Sequence, residues 1–293
     1  MPNAVEPPTE SPTRLEAAYA LLAEATADGG RPWRPLAGGT DLMVQLAGEI
    51  GAPPERILDI WGLDELRGIS VEADALVLGA LTTYTELRRS PVVAELVPVL
   101  AEAAATIGAA QIQNRGTIGG NVVNASPAGD TLPVLLALDA EIVLGSAGGE
   151  RTVPASEFWP SYRTTARRDE ELVVRIRIPI VADRQVRFRK VGTRRAQAIS
   201  KVVMALAWRA VSDDAAWTDV RVALGSVAAT PIRASATEAA LEGARPTAET
   251  ADRAREALEA EIHPIDDVRS TADYRRLVAG RVLHRLIRDE GGW

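Results

Sequence analysis

The feature that most constrains this chain is the segment "GTIGGNVVNASPAGD", Gly116 to Asp130. It sets four glycines, two asparagines, a serine, a proline and an acid among fifteen positions. A plain turn needs about two to five residues, so so long a polar stretch ahead of the apolar run "TLPVLLALDA" points to a functional segment. Glycine has no Cβ, so a turn built on it admits positive φ and lets successive backbone N–H groups converge on one anion. A second turn of this character, "AGGTD" (37–41), follows a strand-like stretch. Either alone also reads as a tight turn; the two together suit a diphosphate. Thr40, Thr117, Asn121 and Ser126 add side-chain donors, and Asp41 or Asp130 offers an acceptor for a ribose hydroxyl.

Other chemistry-bearing patterns are missing. G-x-x-x-x-G-K-[ST] and a strand-led G-x-G-x-x-G do not occur, so the common ATP and NAD fingerprints fail, and G-x-S-x-G is absent too. His263 and His284 belong to no HExxH pattern and read as surface or packing residues. With no cysteine, the chain has no thiolate for an iron-sulfur cluster or for nucleophilic catalysis, and it fits a reducing compartment.

The net charge of -7 argues against general nucleic-acid binding. Arg184, Arg187, Arg189, Lys190, Arg194, Arg195 and Lys201 nevertheless crowd one stretch, as a solvated face or a local anion site. No apolar run approaches the roughly 18 residues of a membrane span, and the acids and prolines of "MPNAVEPPTESPTR" do not suit a signal peptide. A cytoplasmic protein without nucleic-acid or membrane partners is expected.

The length of 293 residues suggests about two domains, and with only twelve aromatic residues the core must be aliphatic. "SPTRLEAAYALLAEATADGG" predicts a helix with a Thr13/Glu16 capping box, an apolar face of Leu15, Ala18, Leu22 and Ala25, and a stop at Gly29-Gly30. Strand, turn and helix follow in "WRPLAGGTDLMVQL", strands in "RILDI" and "ALVLGALTTY", and a helix running through Pro98 in "ELVPVLAEAAATIGA". "EELVVRIRIPI" alternates as a half-buried strand, with Ile176 and Ile178 opposite Arg175 and Arg177. Beyond it "VRFRKV", "VVMALAWRAV" and "DVRVALGSVA" predict strands, and helices are expected around 234–260 and 271–288. Strands and helices mixed without steady βαβ alternation predict an α+β fold, divided near residue 180.

In this order and spacing, "AGGTDL", "QIQNRGTIGGNVVNASPAGDTLPVLLALDAEIVL", "EELVVRIRIP" and "KVGTRRAQAISKV" resemble the FAD-binding medium subunit of the molybdenum hydroxylases. That family includes xanthine dehydrogenase, carbon monoxide dehydrogenase and their nicotinate- and aldehyde-oxidising relatives, and the resemblance runs from about residue 12 to 290. It implies a PCMH-type FAD-binding domain of two α+β lobes over 1–178, dividing near 58, and a CO dehydrogenase flavoprotein C-terminal domain over 184–290. FAD would lie in the cleft between them. The resemblance implies that Ala37, Gly38, Gly39, Thr40 and Asp41, with Thr117, Ile118, Gly119, Gly120 and Asn121, hold the diphosphate. It places Ser126 and Asp130 on the adenosine side, and the Leu172 backbone and Lys190 near the flavin end. A cation beside a flavin or a diphosphate suits the negative charge there.

The resemblance further implies an electron-transfer subunit with no catalytic residue or metal site of its own. A large molybdopterin partner would hydroxylate the substrate, a small partner with two two-iron two-sulfur clusters would relay electrons, and FAD would pass them to NAD, oxygen or another acceptor, as a dimer of heterotrimers. One departure bears on the acceptor: where vertebrate xanthine oxidoreductases carry acids near the flavin, Ala196, Gln197 and Ala198 are neutral. The missing cysteines set the chain apart from the 4-hydroxybenzoyl-CoA reductase branch, whose medium subunit carries an extra cluster. "KVGTRRAQAIS" looks closer to xanthine and nicotinate dehydrogenase relatives, favouring a purine or other N-heterocycle. The alternatives are the medium subunit of a carbon monoxide or aldehyde dehydrogenase, and a stand-alone FAD oxidoreductase. The last would need a general base, and neither motif has a His or Cys near it. A scaffold that had lost FAD would be expected to break the glycines, which are intact.

Overall fold

A computed structural model describes residues 7–27, 30–48, 52–194, 197–210 and 216–293. Gly29, Arg195, Ala196 and Val211, which belong to stretches read above, lie outside the described residues.

Three sheets follow one another along the chain. In the first, β1 (Thr9–Glu10), β2 (Arg34–Leu36) and β3 (Ile57–Asp59) run parallel in the order β1-β3-β2, linked by α1 (Leu15–Ala27) and α2 (Leu42–Ala47). The α1 face buries Ala18, Leu22 and Ala25 in one cluster with Leu58, Ile60 and Leu63. The Thr13/Glu16 capping box is replaced: Glu16 pairs with Arg14, and the Leu15 N–H donates at 3.1 Å to the Glu65 carboxylate, from a 3-10 turn after β3. A helix end needs an acceptor for its first N–H groups but does not need it to be local.

The second sheet holds β4 (Ile69–Glu72), β5 (Ala75–Gly79), β6 (Glu141–Ser146), β7 (Gly149–Pro154) and β8 (Leu172–Pro179), antiparallel in the order β4-β5-β8-β6-β7. Between β5 and β6 run α3 (Tyr84–Arg89), α4 (Pro91–Leu96), α5 (Pro98–Ala105), α6 (Ala110–Gln113), α7 (Ile118–Asn124) and α8 (Leu132–Ala137); α9 (Ala155–Phe158) follows β7. The helix expected through Pro98 breaks at Val97, because proline has no N–H to continue α4 and instead opens α5 at its first position. On β8, Val173, Ile176 and Ile178 enter the main core, while Arg175 and Arg177 pair with Glu150 and Glu72 on the other face.

The third sheet is an antiparallel meander of β9 (Arg184–Val191), β10 (Val202–Ala210), β11 (Trp217–Gly225) and β12 (Ile232–Arg233). It is followed by α10 (Ser235–Leu241), α11 (Ala248–Glu261) and α12 (Ala272–Gly291). The single helix expected over 234–260 is therefore two, interrupted by Gly243 at φ +72°. Strand β10 is apolar on both faces for a reason: Val203, Ala205 and Ala207 join the main core with α8, while Val202, Met204, Leu206 and Trp208 meet the C-terminal helices. Every residue of α8 is buried: it packs on β10, β11 and β12 and shares one core cluster with Leu76, Ile142 and Ile176 of the second sheet. The architecture is α+β, as expected. Trp33 and Trp159 are core residues, Trp61 is half-buried, and Trp293 is 43% exposed. Among the described residues no helix is long and apolar enough to cross a membrane.

Candidate functional site

A cleft of about 1820 Å³ opens where the three sheets meet. Small-molecule sites usually occupy about 300–1,000 Å³, so this one has room for a long, extended ligand. Ala37, Gly38, Gly39, Thr40, Asp41, Thr117, Gly119, Gly120, Asn121, Ser126, Asp130, Leu172 and Lys190 all line it. Ile118 does not: its side chain is fully buried in the main core.

The 37–41 turn joins β2 to α2. Gly39 has φ +76°, a conformation that an L side chain rarely adopts. Gly38 lies flush against the Arg115 carbonyl, where a Cβ would overlap it. The carbonyls of Gly39 and Asp41 accept from Met43 and Gln45 at 2.9 and 3.0 Å. The N–H groups of Gly38, Gly39, Thr40 and Asp41 donate to no acceptor among the described residues. Unpaired main-chain donors concentrated in one turn are the groups from which an anion-binding concavity is built.

The second glycine turn works differently from the expectation. Ile118 and Gly119 donate to the Thr82 and Ala80 carbonyls, both at 2.9 Å, Gly120 donates to Thr117 Oγ1 at 3.1 Å, and Asn121 to the Thr117 carbonyl at 3.0 Å. These donors are spent on capping α7 and pinning it to the end of β5, and neither glycine has positive φ. The glycines serve close approach: a Cβ on Gly119 would sit 2.7 Å from Ala80 Cβ, and one on Gly120 would sit 2.8 Å from Thr117 Oγ1. One turn offers donors; the other gives the cleft a main-chain floor.

The length of the "NASPAGD" stretch has its reason in the third sheet, which grips it. Ser226 N–H donates to the Pro127 carbonyl at 2.8 Å, and a Cβ on the adjoining Gly225 would come within 2.9 Å of that oxygen. Lys190 Nζ donates at 2.6 Å to Asp130 Oδ2 and at 3.0 Å to the Thr106 carbonyl, while Ser200 Oγ donates to Asp130 Oδ1. Asp130 and Lys190 therefore do not divide between two ends of a ligand: they are one ion pair, with side chains 8% and 11% exposed. Both carboxylate oxygens are engaged, so a ribose hydroxyl at Asp130 would share an oxygen with Lys190 or Ser200. Burial pushes the Asp130 pKa up, against the pull of Lys190 and Ser200.

At the other end, Asn124 Nδ2 donates to Asp41 Oδ1 at 3.0 Å, and Arg163 Nη1 donates to Asn124 Oδ1 at 3.3 Å. Asp41 faces the cleft, but the walls desolvate it enough to raise its pKa in spite of Arg163 and Asn124. Several lining residues were not singled out from sequence. Tyr84 lies buried in the floor, its hydroxyl pKa raised by burial and by the charges of Asp41 and Asp130. Arg167 Nη1 donates to the Arg168 and Glu171 carbonyls at 2.6 and 2.8 Å and so shapes the turn that delivers Leu172. Nothing in "PSYRTTARRDE" marks it off from a solvated loop; its position just before the implicated Leu172 was the one usable signal. Of the basic stretch 184–201, Lys190 is the only cation among the described residues that lines the cleft. Arg184 instead bridges Asp139 and Asp219 at 3.4 and 2.7 Å, and Arg187 pairs with Glu290 at 2.6 Å.

Residues 6–181 match the family described as "FAD binding domain in molybdopterin dehydrogenase", and residues 187–289 match the "CO dehydrogenase flavoprotein C-terminal domain". The carbon monoxide dehydrogenase medium chain of Hydrogenophaga pseudoflava is 35% identical over 94% of this chain and 94% of its own. The glyceraldehyde dehydrogenase medium chain of Sulfolobus acidocaldarius is 34% identical, covering 93% and 95%. The nicotinate dehydrogenase FAD-subunit of Eubacterium barkeri is 31% identical, covering 96% and 97%. A solved structure of carbon monoxide dehydrogenase from H. pseudoflava superposes with a TM-score of 0.89 at 34% identity, covering 96% of each chain. Fold, cleft and relatives together define a flavoprotein, the FAD-binding subunit of an oxidoreductase. The chain belongs to the molybdenum hydroxylase family, as a medium subunit of the carbon monoxide dehydrogenase and xanthine dehydrogenase type. The residues present fit FAD: unmet main-chain donors suit its diphosphate, and a buried lysine offers a cation within the same cleft.

Proposed function

We propose that this chain is the electron-transfer subunit of a molybdopterin-dependent hydroxylase, with residues 1–178 and 184–290 as its two domains. The observation that carries the reading is the row of unmet N–H groups at Gly38–Asp41, residues that line one cleft together with Gly119 and Gly120 of α7. Those donors would hold the FAD diphosphate, and Thr40 and Ser126 would add hydroxyls. Gly119 and Gly120 would let the cofactor lie on main chain, Leu172 would border it through its backbone, and Lys190 would present positive charge offset by Asp130. FAD, when bound, supplies the conversion of single electrons into pairs. The other parts of the reaction would sit on partners: a large molybdopterin subunit and a small iron-sulfur subunit, assembled as a cytoplasmic dimer of heterotrimers, with NAD, oxygen or another carrier as acceptor.

The preference for a purine or other N-heterocycle gains nothing from the relatives. Names referring to carbon monoxide, glyceraldehyde and nicotinate stand at 35%, 34% and 31% identity, a span too narrow to choose among them. A medium chain whose relatives serve such different substrates is best read as indifferent to the substrate. The test is a visible spectrum of the protein purified from its own host with whatever accompanies it. Flavin bands joined by iron-sulfur absorption, with two further chains on a gel, are expected; a colourless single chain overturns the reading.

A further inference from the structure

The buried group formed by Asp130, Lys190 and Ser200 holds one residue that neither the sequence motifs nor the family resemblance singled out. Ser200 is 1% exposed and closes the loop between β9 and β10, where Lys201 N–H donates to the Val191 carbonyl at 2.8 Å. Its hydroxyl donates to Asp130 Oδ1. A lysine ammonium has three protons. Lys190 gives one to the Thr106 carbonyl and one to Asp130 Oδ2, and no described residue accepts the third. Lys190 also lines the cleft.

We propose that Ser200 is a positioning residue for the cofactor: by occupying Asp130 Oδ1 it limits the carboxylate to one lysine proton, so that Lys190 keeps its third for FAD. The inference rests on reading the cleft as the FAD site. Without the hydroxyl, Oδ1 is a buried acceptor with no donor, a costly state. The nearest remedy is for the ammonium to swing towards both carboxylate oxygens, which turns its spare proton away from the cleft. The pair then presents less positive charge to the cofactor, and the more negatively charged reduced form loses most.

The test compares wild type, Ser200→Ala and Ser200→Thr, each as the full chain, by FAD titration of stripped protein and by flavin midpoint potential, with a thermal melt as the folding control. Ser200→Ala is expected to weaken FAD binding about tenfold and to move the potential to more negative values, and Ser200→Thr, which keeps the hydroxyl, to restore both. Equal affinity and potential in wild type and Ser200→Ala overturn the inference, as does a loss of affinity that Ser200→Thr fails to rescue. Should Ser200→Ala not fold, Ser200→Thr against Ser200→Cys makes the same comparison, with the cysteine variant expected to show the shift. A wild-type chain that takes up no FAD overturns the site reading itself, a result separate from the other outcomes.

Discussion

Lys190 and Asp130 meet at 2.6 Å across the junction between the third sheet and the turn before α8, and the pair is nearly dry. Breaking a buried ion pair from one side leaves an uncompensated charge, which costs about 3–5 kcal/mol. Lys190→Met should therefore lower the melting temperature as well as release FAD, whereas Lys190→Met with Asp130→Asn should recover a good part of the stability but not the cofactor. Chemical denaturation and flavin content of the wild type and the two variants check this; a double variant as unstable as the single one would show that the lost stability is not the lone carboxylate.

The two glycine turns should fail in different ways. At Gly119 a larger side chain must push against Ala80, so Gly119→Val should destabilise the whole FAD lobe by about 1–3 kcal/mol, as overpacking does, and lose flavin as a consequence. A Cβ on Gly39 would make only ordinary contacts, 3.4 Å from Met43 Cγ and 3.5 Å from Leu36 Cδ1, but φ is +76°; Gly39→Ala should strain the turn by about 1 kcal/mol and weaken FAD with little change in the melt of the apoprotein. Paired melting and FAD titration separate the cases. A Gly39→Ala chain that retains the cofactor as tightly as wild type would show that the turn conformation does not serve it.

The contrast shows what could be read in the sequence. The α+β class, the strands on either side of the cleft and both glycine turns followed from spacing and composition, because alternation and glycine clusters are local signals. The reason for the glycines at 119 and 120 was not legible: it lies in Ala80, some forty residues earlier, and in a cap on Thr117 that consumes the donors. The pairing of Lys190 with Asp130 was equally hidden, since sixty residues and a sheet boundary separate them. So was the cap on α1, where Glu65 replaces the local Glu16. Pro98 and Gly243 are the opposite lesson, since both were visible and each broke a helix that apolar spacing alone would have continued.

Glu171 gives a pH signature. Burial raises its pKa, but the Arg151 guanidinium, bonded at 2.6 and 2.8 Å, and the Arg168 N–H at 2.7 Å outweigh it, so the net position is below the ordinary glutamate value of 4.5. A carboxylate whose folded pKa is depressed contributes stability that is complete above its unfolded pKa and is lost as pH falls through the folded one. Glu171→Gln should thus cost about 1–3 kcal/mol at pH 7, with the gap to wild type closing on acidification below pH 4.5. Stability curves at several pH values check it, and a gap that stays constant down to the acid limit would assign the loss to packing.

Asp139 ties the domains together by charge. It follows α8 and accepts from Arg184 at 3.4 Å, Arg221 at 3.2 Å and Arg233 at 3.1 Å, one from each of β9, β11 and β12. The aspartate is 39% exposed, so each contact is screened and individually weak, yet Arg184 is almost fully buried and has Asp219 as its other partner. Asp139→Asn should therefore cost about 1 kcal/mol at low salt and shift the register of the third sheet against α8 rather than unfold either domain. The cost should fall as ionic strength rises and the Debye length shortens from about 10 Å at 0.1 M to about 3 Å at 1 M. Because the same sheet carries Lys190 and the β9–β10 loop that holds Ser200, loss of the Asp139 tie should also raise the FAD dissociation rate without touching any residue that lines the cleft. A stopped-flow measurement of FAD release across salt concentrations reads both effects at once; release that is indifferent to Asp139 at every ionic strength would show that the grip on the 126–130 turn holds the sheet in place by itself.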